Sequence, residues 1–587
     1  MRPPVGRMVL LSKLDERIAV GGEWLDLATN QFPGAIHPRG FERLERFRRH
    51  AFPRFEFGAL SKSVAAIHGE NTTVIWYQAN VDLTLELRPF IAARDYHSLL
   101  HADANVNGGA HPASEWRDDD VFVLPPLYLA IPGADFHAAP DWWRNFEYAI
   151  EEERGLESHE DLFTPGTFLI ELAAGERLAV IASTIDPAER DGHALFDAEL
   201  ARRKTFKRVE EFVADQFIVR RGDDRRSIIA GYHWFTDWGR DAMIALPGLC
   251  LCTGRFDDAR RILLAFAERV SEGMLPNCFP DGGEAPEYNT ADATLWFFVA
   301  AQKYLDYTGD DAFVRDVLLP VLRDVMGWHR RGTRHNIHED VDGLLVAGTE
   351  SDQLTWMDAK VGDWVVTPRH GKPVEINALW FNAQLILANF ERRFGTVEAA
   401  DDLARRAERV RERFREVFWN EDAGYLFDVI DGERRDASVR PNAIFAISLP
   451  HPLLVGDDAE RVLRVIEEEL LTPRGLRTLS PRDPRFIGVL KGSQRDRDAA
   501  YHQGTVWPWL LGPFITALVR IRGDEGKRAG RAIIEAFMPH LMNEACVGSV
   551  SEIFDGSPPY APRGCVAQAW SAAEIIRAMR EDLGMTE

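Results

Sequence analysis

Apolar and polar residues change their spacing near residue 207. Before that point they alternate with a period of two, and beyond it with a period near 3.6. Val81-Asp-Leu-Thr-Leu-Glu-Leu-Arg88 alternates strictly and predicts a half-buried strand. Val121 to Ile131 and Thr167 to Ile181 are further strand candidates, the second broken by Gly175. Turn signals such as Asn105-Val-Asn-Gly-Gly109 separate them. The pattern predicts an antiparallel β-sandwich over residues 1–200. It carries a helical insert near Asp141 to Arg154, started by Pro140 and Asp141.

From about Lys207 the pattern predicts helices near 207–219, 240–252, 256–272, 289–307, 311–332, 377–394, 397–418, 441–448, 457–470, 503–521, 525–541 and 567–583. Long loops after alternate members suggest helical hairpins arranged in a ring, so residues 201–587 form a second, all-α domain. The Asp401 to Arg413 stretch has alternating-sign charges and is a solvated helix face. Gly273, Gly395 and Gly523 read as helix stops. Residues 185–206, rich in Asp, Glu and Arg, read as the junction of the two halves.

Length and composition narrow the function. A chain of 587 residues exceeds one ordinary core. A formal charge of -23 disfavours nucleic acid and anionic membrane as partners, but not a neutral glucan. The odd count of 5 cysteines, none in a CxxC pair, fits reduced thiols and a cytoplasmic location. No apolar signal core or membrane-length apolar run is present. There is no phosphate loop, GxGxxG fingerprint, GxSxG elbow or metal-ligand spacing, so neither a metal nor a cofactor is expected.

The candidate chemistry lies in the loops before the helices. Gly231-Tyr-His-Trp-Phe-Thr-Asp-Trp-Gly-Arg-Asp241 combines aromatic faces for sugar rings with Asp and Arg for hydroxyls. The alternative is a buried helix start with a satisfied Asp–Arg pair. A second segment holds Tyr288, Asn289 and Asp292, where Asn289 or Asp292 would also serve as a helix cap. A third runs Thr355-Trp-Met-Asp358, then Trp364, His370 and Glu375. A carboxyl set against Trp356 should be partly desolvated and held protonated, as a general acid requires. The fourth is His502-Gln-Gly-Thr-Val-Trp-Pro-Trp509, in which Trp507 and Trp509 also suit simple packing. The fifth is Ser551-Glu-Ile-Phe-Asp-Gly556, then Gly564-Cys-Val-Ala-Gln-Ala-Trp-Ser571.

Glycoside hydrolysis needs two carboxylates, one to protonate the leaving oxygen and one to activate water or attack carbon. Asp358 and Glu552 stand out by loop position and aromatic neighbours. Asp241, Asp292, Asp352, Glu375 and Asp555 remain rivals among 92 acidic residues.

Trp234-Phe-Thr-Asp-Trp-Gly-Arg-Asp-Ala-Met-Ile-Ala-Leu-Pro-Gly248, Thr355-Trp-Met-Asp358, Gln503-Gly-Thr-Val-Trp-Pro-Trp509 and Ser551 to Gly556, in this order, resemble the amylo-α-1,6-glucosidase domain of glycogen debranching enzymes. Leu87-Arg-Pro-Phe-Ile-Ala-Ala-Arg-Asp-Tyr-His97 is similar to the N-terminal domain of the bacterial and archaeal form. The resemblance implies an (α/α)6 toroid barrel after the sandwich. It implies exo-acting, inverting removal of single α-1,6-linked glucose from branch points of glycogen or limit dextrin. Asp358 falls at the family's general-acid position and Glu552 at its general-base position, with Arg240 and Asp241 gripping the terminal glucose. Trp234, Asp237, Tyr288, Asn289, Asp292, Trp356, Trp364, His370, Glu375, His502, Gln503, Trp507 and Phe554 are the further substrate-binding candidates.

Two departures stand out. The Pro3 to Asp15 segment resembles an internal strand of the N-terminal domain, so first strands of the sandwich are expected to be missing. No βα-repeat region resembles the separate transferase domain of the eukaryotic enzyme, so strong glucanotransferase activity is not expected. Competing readings are an inverting glycoside phosphorylase of similar layout and a non-catalytic glucan-binding scaffold.

Overall fold

The computed structural model describes residues 6–49, 51–102, 127–222, 224–279 and 285–585. The chain divides into two compact units, Gly6–Lys207 and Arg208–Glu587.

The first unit is β-rich. One five-stranded sheet runs in the order Asp135–Glu147, His159–Leu172, Leu83–Asp95, Met8–Val20 and Glu23–Asp26. The other has six strands, ordered Tyr128–Ala130, Arg177–Ser183, Thr72–Ala79, Leu60–Ala66, Pro53–Glu56 and Arg46–Arg49. Neighbours in both sheets are antiparallel. Alternation decides which side chains are shared. Leu83, Leu85 and Leu87 point inward and meet Ile75, Tyr77, Leu178 and Val180 of the other sheet in one core. That common core makes the pair of sheets a sandwich.

Several expectations need correction here. The segment from Asp141 is not helical. It continues a strand to Glu147, and only Ala149–Glu153 forms a short helix. Aromatic packing overrides the helix start signal: Trp143 and Phe146 sit 5.1 and 5.4 Å from the Phe90 ring. Thr167 to Ile181 divides between two strands, one in each sheet, with the turn at Gly175 between them. The two units divide at Lys207, at the end of the segment 185–206. Gly192–Lys204 is a helix whose Phe196 packs on Phe52 and Trp76 of the β-unit. The Asn105–Gly109 turn and residues 121–126 of one strand candidate lie outside the described residues.

The second unit is helix-rich, and its boundaries follow the 3.6 period closely. In Val397–Phe418, Ala400, Leu403, Ala407, Val410, Phe414 and Val417 form the buried stripe. Thr396 caps the helix by accepting the Ala399 N–H at 3.2 Å. The two helices predicted over 503–521 and 525–541 appear as Leu511–Asn543, broken at Gly523 by a left-handed φ of 56°. Gly395 caps its helix as expected, whereas Gly273 lies well beyond Ala267, where the preceding helix ends.

Six helices pack as successive neighbours. Gly239–Leu246 packs on Asp292–Thr308, which packs on Val374–Phe394. Phe445–Ser448, Leu511–Asn543 and Ala569–Arg577 follow, and the last returns to Gly239–Leu246. A second set, including Val209–Phe217, Leu319–Arg331, Val397–Phe418 and Gly456–Glu469, packs against them. Among the described residues no helix is long and apolar enough to cross a membrane, and no disulfide joins the cysteines.

Candidate active site

Loops that precede the helices starting at Gly239, Asp292, Val374, Leu511 and Ala569 meet around a cavity of about 300 Å³. Arg240 and Asp241 enter it from the first turn of Gly239–Leu246. Asn277 and Asn289 come from the approach to Asp292–Thr308, joined by an Asn277 to Asn289 hydrogen bond of 2.8 Å. Gln353, Trp356 and Asp358 come from one loop, Tyr501 and Trp507 from another. Glu552, Gln568 and Trp570 complete the wall.

Arg240 organises the acidic side. Its Nε donates to both oxygens of Asp292 at 2.8 Å, and its Nη1 donates to Asp358 Oδ2 at 3.0 Å. Nη2 donates to Thr290 Oγ1 at 3.2 Å and to the Thr355 carbonyl at 3.1 Å. The guanidinium is almost fully buried, so each contact is worth more than a surface pair. Asp292 thus stands behind Arg240, and it does not reach the cavity itself.

Asp358 behaves differently from the sequence-based expectation. Burial raises its pKa, but the Arg240 guanidinium and the nearby His502 outweigh that and hold it below the ordinary carboxylate range. Trp356 does line the cavity, but its indole N–H is committed to Asn442 Oδ1 at 2.7 Å. The carboxyl is therefore ionised beside a cation, not neutral against an indole. Its side chain remains 31% exposed.

Asp241 shows the raised pKa instead. Burial lifts it to about 7 against the pull of Arg240, with Asp358 and Glu552 adding to the rise. Gln568 Nε2 donates to its Oδ1 at 3.1 Å. A buried acid with a raised pKa favours the folded state while protonated and loses that contribution as pH rises through the folded value. Asp241→Asn keeps the acceptor oxygen and removes the charge. The variant is therefore expected to be more stable than the parent at pH 8, by ~1–3 kcal/mol, with little difference near pH 4. Melting temperatures at the two pH values measure this; an equal change at both would assign the effect to packing.

Glu552 is fixed from two sides. Its Oε2 accepts the Cys565 N–H at 2.7 Å, and its Oε1 accepts the Tyr501 hydroxyl. Gly564 leaves it room. A Cβ there would lie 2.4 Å from Glu552 Oε2, at a φ of +66° that L-residues avoid. Gly564→Ala should therefore displace Glu552 and cut kcat by about tenfold or more, while circular dichroism stays unchanged. Unaltered kcat would mean that the Glu552 position is not sensitive at this scale.

Several candidates lie outside the cavity. Asp237 is buried against Arg221 and accepts from Ser227 Oγ at 2.8 Å. Burial lifts its carboxyl to about 6, opposed by Arg221. Glu375 pairs with Arg369 at 2.5 and 2.6 Å, in a network that includes Asp428. Tyr288 donates to the Arg269 carbonyl at 2.7 Å beneath the Arg334 guanidinium. His370 lies 3.3 Å from Asp431. Gln503 accepts from Arg440 at 2.9 Å and donates to the Val366 carbonyl at 3.2 Å. Phe554 is fully buried against His540 and Phe537, and Trp234 meets the His233 ring. Trp509 is also absent from the wall, stacking on Phe445 and Trp570. Trp364 is 40% exposed and outside the cavity, on the short hairpin that follows Asp358. These residues share motifs with the wall, but their polar groups have other partners or their rings face other cores.

The rival carboxylates separate in the same way. Asp352 caps a turn at Thr349, and Asp555 is held by the Leu490 N–H and Arg563. Asp358, Glu552 and Asp241 are the carboxylates of the wall. The wall residues that local reading did not single out are Ala230, Phe235, Trp238, Asn277, Gln353, Tyr501, Gln568 and Trp570. Most lie one to several residues from a chosen motif position, and their adjacency was the available signal. Among the described residues no cluster of His, Cys, Asp and Glu could hold a metal ion.

Residues 212–577 match the family model described as amylo-alpha-1,6-glucosidase, and residues 1–179 match the one described as glycogen debranching enzyme N terminal. The glycogen debranching enzyme of Saccharomyces cerevisiae is 26% identical over 416 residues, which is 55% of this chain and 27% of the yeast protein. The chain thus spans well under half of that relative's length. With the family model covering more than half of its residues, the chain belongs to the amylo-α-1,6-glucosidase family of glycogen debranching enzymes.

Proposed function

We propose that the protein is an exo-acting glycoside hydrolase that releases single α-1,6-linked glucose from branch points of glycogen-type glucans, with inversion. The observation that carries this reading is the convergence of Asp358 and Glu552, from separate loops, on one small cavity that also holds Arg240 and Asp241. Asp358 acts as the acid on the glycosidic oxygen, and Glu552 activates water from the other side. The ionised form of Asp358 is compatible with this role, because a sugar ring that displaces water from this partly exposed carboxyl favours its neutral form. Arg240 and Asp241 hold the terminal glucose. Charged groups at a closed end reject a mid-chain ring that would leave them unpaired.

The closed succession of six helices supports an (α/α)6 barrel for the catalytic unit. Its pocket opens where the helices begin. Trp364, exposed beside the Asp358 loop, would meet the main-chain sugars that flank a branch.

A phosphorylase needs free cations for phosphate. Among the described wall residues the cation is Arg240, whose N–H groups are engaged by Asp292, Asp358, Thr290 and Thr355. That favours hydrolysis. Product analysis on a limit dextrin with single-glucose branches tests the proposal. Free β-glucose, independent of phosphate, is the expected product. Glucose 1-phosphate would establish a phosphorylase, and initial α-glucose would establish retention.

A further inference from the structure

His502 is fully buried. Its ring stacks on Trp507 at 5.2 Å and meets Trp356 edge-on at 5.4 Å. Neither ring nitrogen has a hydrogen-bond partner among the described residues, yet Nε2 lies 3.9 Å from Asp358 Oδ1. Orphaned nitrogens inside a packed aromatic cage are costly unless they serve a partner. The backbone is held in place: Arg440 Nη1 donates to the His502 carbonyl at 2.8 Å. The gap to Asp358 exceeds a hydrogen bond, but the ring is fixed and the carboxyl is partly exposed, so a modest turn of Asp358 closes it.

We propose that His502 is a positioning residue that shares one proton with Asp358, so that the acid function belongs to the Asp358–His502 pair. The inference rests on Asp358 being the acid, as proposed above. A carboxyl with Arg240 at 3.0 Å gives up its proton at low pH, so when a bound sugar favours its neutral form the proton has to come from a neighbouring group. An adjacent imidazole stores that proton until the leaving oxygen develops charge. The proton passes from Nε2 to Asp358 and on to the glycosidic oxygen as the C–O bond breaks and the oxygen keeps the bonding pair. The pair is left as carboxylate and neutral imidazole. The proton of the attacking water goes to Glu552, and solvent then exchanges both groups back. The charged groups facing His502 are Asp358, Arg240 beyond it, Arg440 at its carbonyl, and Glu552 through Tyr501. Burial lowers the imidazole pKa and Asp358 opposes that, so the pair empties as pH rises, on the acid side of the ordinary imidazole range.

The test compares His502→Gln with the parent on a branched limit dextrin and on α-glucosyl fluoride, whose leaving group needs no proton. The expected result is a basic limb of kcat/KM moved down by about one pH unit, and about tenfold lower activity at pH 7, on the dextrin alone. An unmoved limb, or equal loss on both substrates, overturns the proposal. The Asp358→Asn variant separates the underlying reading: if it loses the fluoride reaction as fully as the dextrin reaction, Asp358 is not the acid. Should His502→Gln fail to fold, the parent enzyme decides. Imidazole ionisation is strongly temperature-dependent and carboxyl ionisation is not, so a basic limb that moves to lower pH on warming supports the pair, and an invariant limb overturns it.

Discussion

Asp358→Asn and Glu552→Gln are each expected to reduce turnover on α-1,6-branched glucan by about 10²–10⁴, the range of a lost general acid or base. That corresponds to roughly 3–5 kcal/mol of transition-state stabilisation. Both replacements preserve shape. The amide replacing the Asp358 carboxyl would still offer Arg240 an acceptor oxygen. The amide replacing the Glu552 carboxyl would still accept from Tyr501 or the Cys565 N–H, so the fold should survive in both variants. The two variants should differ on α-glucosyl fluoride. Loss of the acid is tolerated there, because fluoride departs unprotonated, whereas loss of the base is not. Steady-state kinetics on both substrates measures this. Turnover within a few-fold of the parent in either variant would remove that residue from its role.

Arg240→Met is expected to have the largest combined effect on stability and activity. The guanidinium is buried and bonds to two carboxylates, a hydroxyl and a carbonyl. Met fills similar volume but leaves Asp292 and Asp358 without their cation. Breaking a buried pair from one side costs about 3–5 kcal/mol. The carboxyl of Asp358, freed from Arg240, should then bind its proton more tightly, which shifts any residual activity towards higher pH. Denaturant unfolding and a pH–rate profile read the two consequences separately. Parent-like stability would show that Asp292 finds another partner. Arg240→Lys, which keeps the charge but not the fork of N–H groups, should recover part of the stability and little of the activity.

Much of the architecture was legible because periodicity is local. The strict alternation of residues 81–88 and the stripe in Val397–Phe418 each report one buried face, and no distant partner is needed to see it. Where neighbours outvoted local signals, the reading failed. Asp141 looked like a helix start, but Trp143 and Phe146 had a ring to pack against in Phe90. The charge of residues 185–206 marked a junction but not the helix within it, whose Phe196 packs on Phe52 and Trp76.

The candidate site divides along the same line. The sequence alone determined which loops carry carboxylates, arginines and indoles together, and it marked Asp358, Glu552, Arg240 and Asp241 within them. It could not say which of several polar residues in one motif turns inward. Glu375 and Asp237 sit in motifs as suggestive as those of Asp358, yet Arg369 and Arg221 claim them. The charge state of Asp358 was misread for the same reason: Trp356 is two residues away in sequence, but Arg240, 118 residues away, lies 3.0 Å from the carboxyl. Protonation, pairing and pocket membership depend on Coulomb and hydrogen-bond contacts between loops far apart in the chain. Only the tertiary structure brings those loops together, and only it could decide them.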